Sequence, residues 1–184
     1  MEPGTLFTKI LALATLGGNL VLLGLFLFFI VRRSIFDRII GWLGERAVAI
    51  GFLISAGATI GSLIYSEVVG YPACILCWIQ RLFMYPQMFL FGLAIWRKER
   101  MVVPYMFLLS LLGAAVALYQ WGKDMLLVYS NTTAPCPAVA GLPSCDKIYV
   151  LEMGYITIPM IALNAFLLLL VVMWAGNRYA KNIQ

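Results

Sequence analysis

Five stretches of the chain stay apolar for about the 20 residues that a helix needs to cross a bilayer. They are Ile10–Val31, Ala47–Tyr65, Trp78–Trp96, Met101–Trp121 and Ile156–Trp174. Together they take up more than half of the residues, and no connecting segment is long enough for a separate domain. The pattern predicts an all-α integral membrane protein that works inside the bilayer or at its surface. The first stretch is longer than the roughly 7–15-residue core of a signal peptide, no small-x-small cleavage site follows it, and Arg32 and Arg33 read as a stop.

Finer patterns lie between and within these stretches. In segment 34–46, Ile35, Phe36, Ile39, Ile40 and Leu43 recur at helical spacing, with Asp37, Arg38 and Glu45 mostly elsewhere. This predicts a helix lying in the membrane interface. Gly57 and Gly61 form a GxxxG, which predicts close helix packing. Asn19, Gln87, Gln120 and Asn164 are scattered over four spans and are expected to hydrogen-bond between helices. No predicted span carries a carboxylate, which argues against a proton-coupled carrier.

Composition agrees with the pattern. Of 184 residues, 63% are hydrophobic and 11% are charged, against about 25% charged in a soluble domain. An aromatic content of 14% excludes a disordered chain. The net charge of +5 acts as a topology signal before it suggests nucleic acid. Arg32, Arg33, Arg38, Arg46, Arg97, Lys98, Arg100, Arg178 and Lys181 share one side of the predicted topology, and only Lys9, Lys123 and Lys147 lie on the other. The basic side is expected to be cytoplasmic, with the N-terminus outside, the C-terminus inside, and residues 66–77 and 122–155 facing outward.

There is no histidine, which removes the commonest general base and metal ligand. The four cysteines are the obvious reactive groups, and all fall in the two outward segments. Cys74 and Cys77 form a C-x-x-C, and Cys136 and Cys145 lie in the long outer loop. An even count on an oxidising face suggests disulfides, and four cysteines allow three pairings. A C-x-x-C loop is so small that closing it removes little chain entropy. A bundle whose backbone bonds are made within each span does not need stapling. Redox chemistry is therefore favoured over a structural role. Zinc is disfavoured because the second pair lacks ribbon spacing.

Pro72 precedes the motif, so the pair should sit in the first turn of a helix, where the helix dipole stabilises a thiolate. Arg81 lies four residues after Cys77, on the same face. A cation one turn into a span is costly, and it suggests a partner in the Cys77 thiolate or in an anionic ligand beside it. An interfacial anchor is the plainer reading of Arg81. Trp78, Phe83 and Tyr85 add nearby aromatic surface, which also suits an interfacial belt.

The run Cys-Ile-Leu-Cys-Trp-Ile-Gln-Arg-Leu-Phe-Met-Tyr-Pro (74–86) resembles the signature of the DsbB/BdbC-type disulfide bond formation proteins. Loop cysteines followed by Met-Gly-Tyr-Ile-Thr-Ile-Pro-Met (153–160) are similar to the BdbC branch. The resemblance covers about residues 47–175. It implies a four-helix membrane bundle over 47–175; the additional N-terminal transmembrane helix and interfacial helix expected in 1–46 have no counterpart in the family core, and 176–184 is expected to be a cytoplasmic tail. It also implies a bacterial cytoplasmic-membrane enzyme that reoxidises a DsbA/BdbD-like thioredoxin-fold dithiol and passes electrons to a quinone, either ubiquinone or menaquinone. Cys77 resembles the cysteine that meets the quinone and Cys74 its disulfide partner. Arg81 resembles the arginine beside the quinone. Cys136 resembles the loop cysteine that forms the mixed disulfide, with Cys145 as its loop partner.

Electrons would then pass from the partner to Cys136–Cys145, through a transient such as Cys74–Cys145, to Cys74–Cys77 and the quinone. Pro135, Pro137, Gly141 and Pro143 are expected to keep the outer loop irregular and mobile enough to present its disulfide. A DsbA-like partner is strongly oxidising, at about −120 mV, so reoxidising it calls for a strong acceptor. Gln80 is not carried over as catalytic, because the family varies at that place. Two other readings remain. One is a multi-span transport or assembly subunit with structural disulfides. The other is a vitamin K epoxide reductase-like enzyme, which the cysteine order disfavours.

Overall fold

A computed structural model describes residues 3–132, 136, 141 and 143–183. The described residues form helices α1 (Pro3–Val31), α2 (Arg33–Glu45), α3 (Ala47–Leu63), α4 (Ile75–Arg97), α5 (Val103–Ser130) and α6 (Ile158–Ile183), with one π-helical turn (Ile64–Val68) after α3. Helices α1, α3, α5 and α6 are long and apolar enough to cross a membrane, α3 together with its π turn. The expectation of five apolar spans is therefore corrected to four. The predicted segment Trp78–Trp96 falls within the 23-residue α4, but Gln80, Arg81 and Gln87 make that helix too polar to count.

The consecutive helices α3 to α6 run antiparallel. Arg81 of α4 reaches Ser62 near the end of α3, while Phe91 lies against Gly51. Gln80 pairs with Gln120 and Gln87 with Ser110 across α4 and α5. Gly113 of α5 faces Phe166 of α6 so closely that any Cβ there would overlap the ring. The centre of the bundle is a dry cluster of Phe91, Met106, Phe166, Leu169 and Met173.

The polar residues placed in spans do hydrogen-bond between helices, as expected. Asn164 donates to Asn19 at 2.7 Å, tying α6 to α1. Ser110 donates to Gln87 at 3.0 Å. Pairing such groups removes the cost of leaving them bare in hydrocarbon.

Two sequence expectations fail here. Gly57 and Gly61 do not seat a neighbouring helix. A Cβ on Gly57 would meet nothing within 4 Å, and one on Gly61 would meet only the tip of Leu11 at 3.7 Å. The missing side chains leave open space instead. The span predicted to end at Trp121 continues as helix to Ser130 and carries the buried carboxylate Asp124. The polar run Gly122-Lys123-Asp124 does not end the helix, because its charges are buried against protein.

Segment 34–46 is the helix α2. Its buried stripe is Phe36, Ile40 and Gly44, packed on Ala175 of α6 with Leu43, while Ile35 turns outward. Arg100 caps this end of the bundle through the carbonyls of Gly44 and Glu45, the latter at 2.7 Å. Arg178 pairs with Asp37 at 3.4 Å. Charge is thus gathered at the end of the bundle opposite the cysteines.

At the cysteine end, a turn with positive φ at Met153 and Gly154 folds the chain back into α6. Trp121 Nε1 holds the carbonyl of Tyr155 at 3.0 Å, and the Tyr129 hydroxyl holds that of Gly154 at 2.9 Å. These bonds fix the segment after Cys145 onto α5.

Candidate functional site

Pro72 and the extended backbone of Cys74 stop the chain from joining the preceding turn, so α4 starts afresh at Ile75 with Cys74 as its N-cap. Cys77 lies in the first turn, as its spacing predicts. The two are free thiols with sulfurs 3.2 Å apart. Cys136 and Cys145 are joined as a disulfide, with Cα atoms 6.2 Å apart. Cys74, Leu76 and Cys145 form one buried cluster, with Cys77 and Cys136 packed against it. All four predicted cysteines therefore converge at one end of the bundle.

The thiol of Cys74 is lowered to about 6, first by the hydrogen bond from the Cys77 side chain and then by the first-turn amides and Gln120, against the opposing effect of burial. The first-turn amides thus add to the lowering at Cys74, with the Cys77 side chain the larger cause. Gln120 Nε2 lies 3.5 Å from both sulfurs.

Below the pair, a cavity of about 380 Å³ runs between α1, α3, α4 and α6. Cys77, Arg81 and Tyr85 line one side, Gly57, Ala58 and Gly61 the second, and Ala162 and Ala165 the third. Leu11, Ala14 and Thr15 of α1 complete the wall. The size falls within the ordinary range for small-molecule sites.

Arg81 faces this cavity, but its hydrogen bonds go to α3. Nε donates to the Ser62 hydroxyl at 3.0 Å and an Nη to the Ser62 carbonyl at 3.1 Å, with Trp78 stacked on the guanidinium at 5.1 Å. The Tyr85 hydroxyl joins Ser62 at 3.4 Å.

Sequence reasoning missed Ser62, and it missed Gln120 as a neighbour of the thiols. A polar residue within a span was the signal for Gln120, but its target could not be read. Gly141 and Pro143 are described, whereas Pro135 and Pro137, and with them most of the expected mobile loop, lie outside the described residues. Among the described residues, no group of three or more Cys, Asp or Glu side chains is placed to hold a metal.

The model of the family described as "Disulfide bond formation protein DsbB" matches residues 44–176. This chain belongs to the DsbB family. The match takes in α3 to α6 and leaves α1 and nearly all of α2 outside it. The chain is 34% identical over 123 residues to the "Probable disulfide formation protein C" of Bacillus cereus, covering 67% of this chain and 86% of the relative. It is 32% identical over 122 residues to the "Disulfide bond formation protein C" of Bacillus subtilis, covering 66% and 86%. No solved structure matches. Family membership implies thiol oxidoreductase activity in disulfide bond formation, in a multi-pass membrane protein.

Proposed function

We propose that this protein is a quinone-dependent thiol oxidase of the bacterial cytoplasmic membrane. It would reoxidise an extracytoplasmic thioredoxin-fold dithiol of the DsbA/BdbD type. One observation carries the reading: the Cys74/Cys77 pair stands between the loop disulfide, whose Cys145 is buried against it, above and an apolar cavity below. Under this reading the cysteine end faces outward and the end rich in Arg and Lys faces the cytoplasm. α4, although more polar than the four apolar helices, runs antiparallel to α3 and α5 along the bundle and would carry the chain between the faces, which puts the N-terminus outside and the C-terminus inside. Residues 47–175 form the catalytic bundle, 1–46 an added helix pair, and 176–184 a cytoplasmic tail.

The chemistry begins when a thiolate of the partner attacks Cys136 Sγ and Cys145 leaves as the thiolate. The partner's second thiol resolves the mixed disulfide, so the partner leaves oxidised and the loop pair reduced. Cys145 then attacks Cys74 Sγ, breaking Cys74–Cys77 and forming Cys74–Cys145. Cys136 attacks Cys145, restoring the loop disulfide and releasing Cys74. Two electrons now rest on Cys74 and Cys77.

The lining suits a quinone ring: Gly57, Ala58 and Gly61 of α3 and Ala162 and Ala165 of α6 leave apolar space, and Arg81, Ser62 and Tyr85 supply polar atoms beside it. Cys77 and Arg81 would hold the ring. A ubiquinone or menaquinone held there would supply the acceptor for the two electrons and two protons. Arg81, fixed by Ser62, keeps a positive charge beside the pair.

The test is quinone absorbance, followed without oxygen, with a reduced DsbA-type protein as donor. Wild type should consume quinone, and Cys77→Ser should not. A folded protein that consumes none of several quinones would return the case to a transport or assembly subunit with structural disulfides.

A further inference from the structure

Lys123 is 3% exposed, far below what is usual for a lysine. Its ammonium is bonded to Asp146, the residue directly after Cys145. The Asp146 side chain is itself nearly half exposed. A buried cation on α5 is therefore neutralised by a carboxylate that the outer loop lowers onto it. Asp146 Oδ2 also accepts from the Ser144 hydroxyl at 2.8 Å, and its own N–H donates to that hydroxyl at 3.3 Å. Ser144-Cys145-Asp146 is thus a closed turn with Cys145 at its centre. Cys145 is 4% exposed and in the same cluster as Cys74. The hydrogen bond from Lys123 holds the Asp146 carboxyl below the usual carboxylate range, so Asp146 is a carboxylate at neutral pH.

We propose that the Lys123–Asp146 ion pair is a latch that holds Cys145 against Cys74 for the internal disulfide exchange. This rests on the electron route proposed above. Lys123 and Asp146 are positioning residues and touch no reacting sulfur. A second anchor lies farther along the loop, where Tyr149 stacks on Tyr71 at 4.9 Å and Tyr71 on Tyr65 at 5.9 Å. That stack keeps the loop near the bundle when the latch is cut, so the loss should be partial. Breaking a charge-assisted bond of this kind should change the local equilibrium about tenfold.

The exchange can be isolated from quinone and partner. In a Cys77→Ser/Cys136→Ser background only Cys74 and Cys145 remain. Oxidised and reduced glutathione then give the effective concentration of one sulfur at the other. The thiolate of Cys145 attacks a Cys74–glutathione disulfide, the Cys74–Cys145 bond forms and glutathione leaves, so the fraction bridged reports placement alone. Asp146→Asn should lower the effective concentration about tenfold. Asp146→Asn leaves the buried ammonium with only the adjacent Asp124 carboxylate and can weaken the fold, so Lys123→Met is the companion that removes this charge. It should give the same loss. Asp146→Glu should stay within about twofold of the background protein, and the double variant should be no worse than either single. Unchanged effective concentration in Lys123→Met, with helix content intact, would overturn the latch, as would losses that simply add. Because neither quinone nor partner is present, these results are independent of whether the chain is a quinone oxidase.

Discussion

Gln80 donates a hydrogen bond of 2.8 Å to the carbonyl oxygen of Gln120, and this turns the Gln120 amide nitrogen toward both Cys74 and Cys77. Each glutamine is buried, on facing helices. The pair is a fixed donor aimed at sulfurs that carry negative charge during exchange. A hydrogen bond to a charged group contributes about 1.5–3 kcal/mol. Gln120→Leu is therefore expected to slow turnover about tenfold or more, with the four-cysteine arrangement intact. Gln80→Leu should have a smaller effect, because it frees the Gln120 amide without removing it. Equal turnover in wild type and Gln120→Leu would exclude this role.

The lowered thiol of Cys74 makes a pH prediction. It lies below the ordinary thiol range because the Cys77 side chain, the first-turn amides and Gln120 donate to it, so Cys74 ionises at lower pH than a free cysteine. Iodoacetamide alkylation of Cys74 in the reduced protein should rise and level off at lower pH than alkylation of a free cysteine. The largest cause is the bond from Cys77. Cys77→Ala should accordingly move the half-point to higher pH, toward the ordinary thiol range. A half-point that stays in place would show that the helix start alone sets the thiolate.

The cysteine pairs, the helix start at Cys74 and the amphipathic segment 34–46 were legible because each is a local pattern. Burial in α2 follows from residues spaced four apart, and the fresh start of α4 follows from Pro72. What was not legible depends on partners far away in sequence. Arg81 reads as a free cation until Ser62 of α3 is placed beside it. Lys123 and Asp124 read as the end of a span, because nothing in their own segment shows that Asp146 returns to neutralise the lysine. Gly57 and Gly61 offer the same small-residue signal whether a helix or a void faces them.

Gly113 tests the packing between α5 and α6. The Phe166 ring occupies the space of its missing Cβ, and Phe166 is fully buried. Gly113→Ala gains up to about 1 kcal/mol in helix propensity but forces the rigid ring aside, at about 1–3 kcal/mol. The net change should be destabilising and measurable as a lower melting temperature in detergent. Phe166→Leu in the same chain should recover part of it, since the smaller side chain vacates the site. A Gly113→Ala protein as stable as wild type would mean that the α5–α6 interface can relax at no cost.

Gly57 tests the opposite case, a glycine kept for the space it leaves. Its added Cβ would meet nothing within 4 Å, and the position lines the cavity opposite Arg81. Gly57→Leu should fold at least as well as wild type, because the helix gains up to about 1 kcal/mol in propensity and no neighbour is displaced. The leucine would fill part of a volume of about 380 Å³. If the cavity receives the quinone, KM for quinone should rise while the rate of partner exchange with the Cys136–Cys145 disulfide stays unchanged. Gly113→Ala should do the reverse, lowering stability with little change in quinone KM. The two substitutions thus separate a glycine demanded by packing from one demanded by a ligand. A Gly57→Leu protein with normal stability and normal quinone KM would place the quinone elsewhere on the bundle.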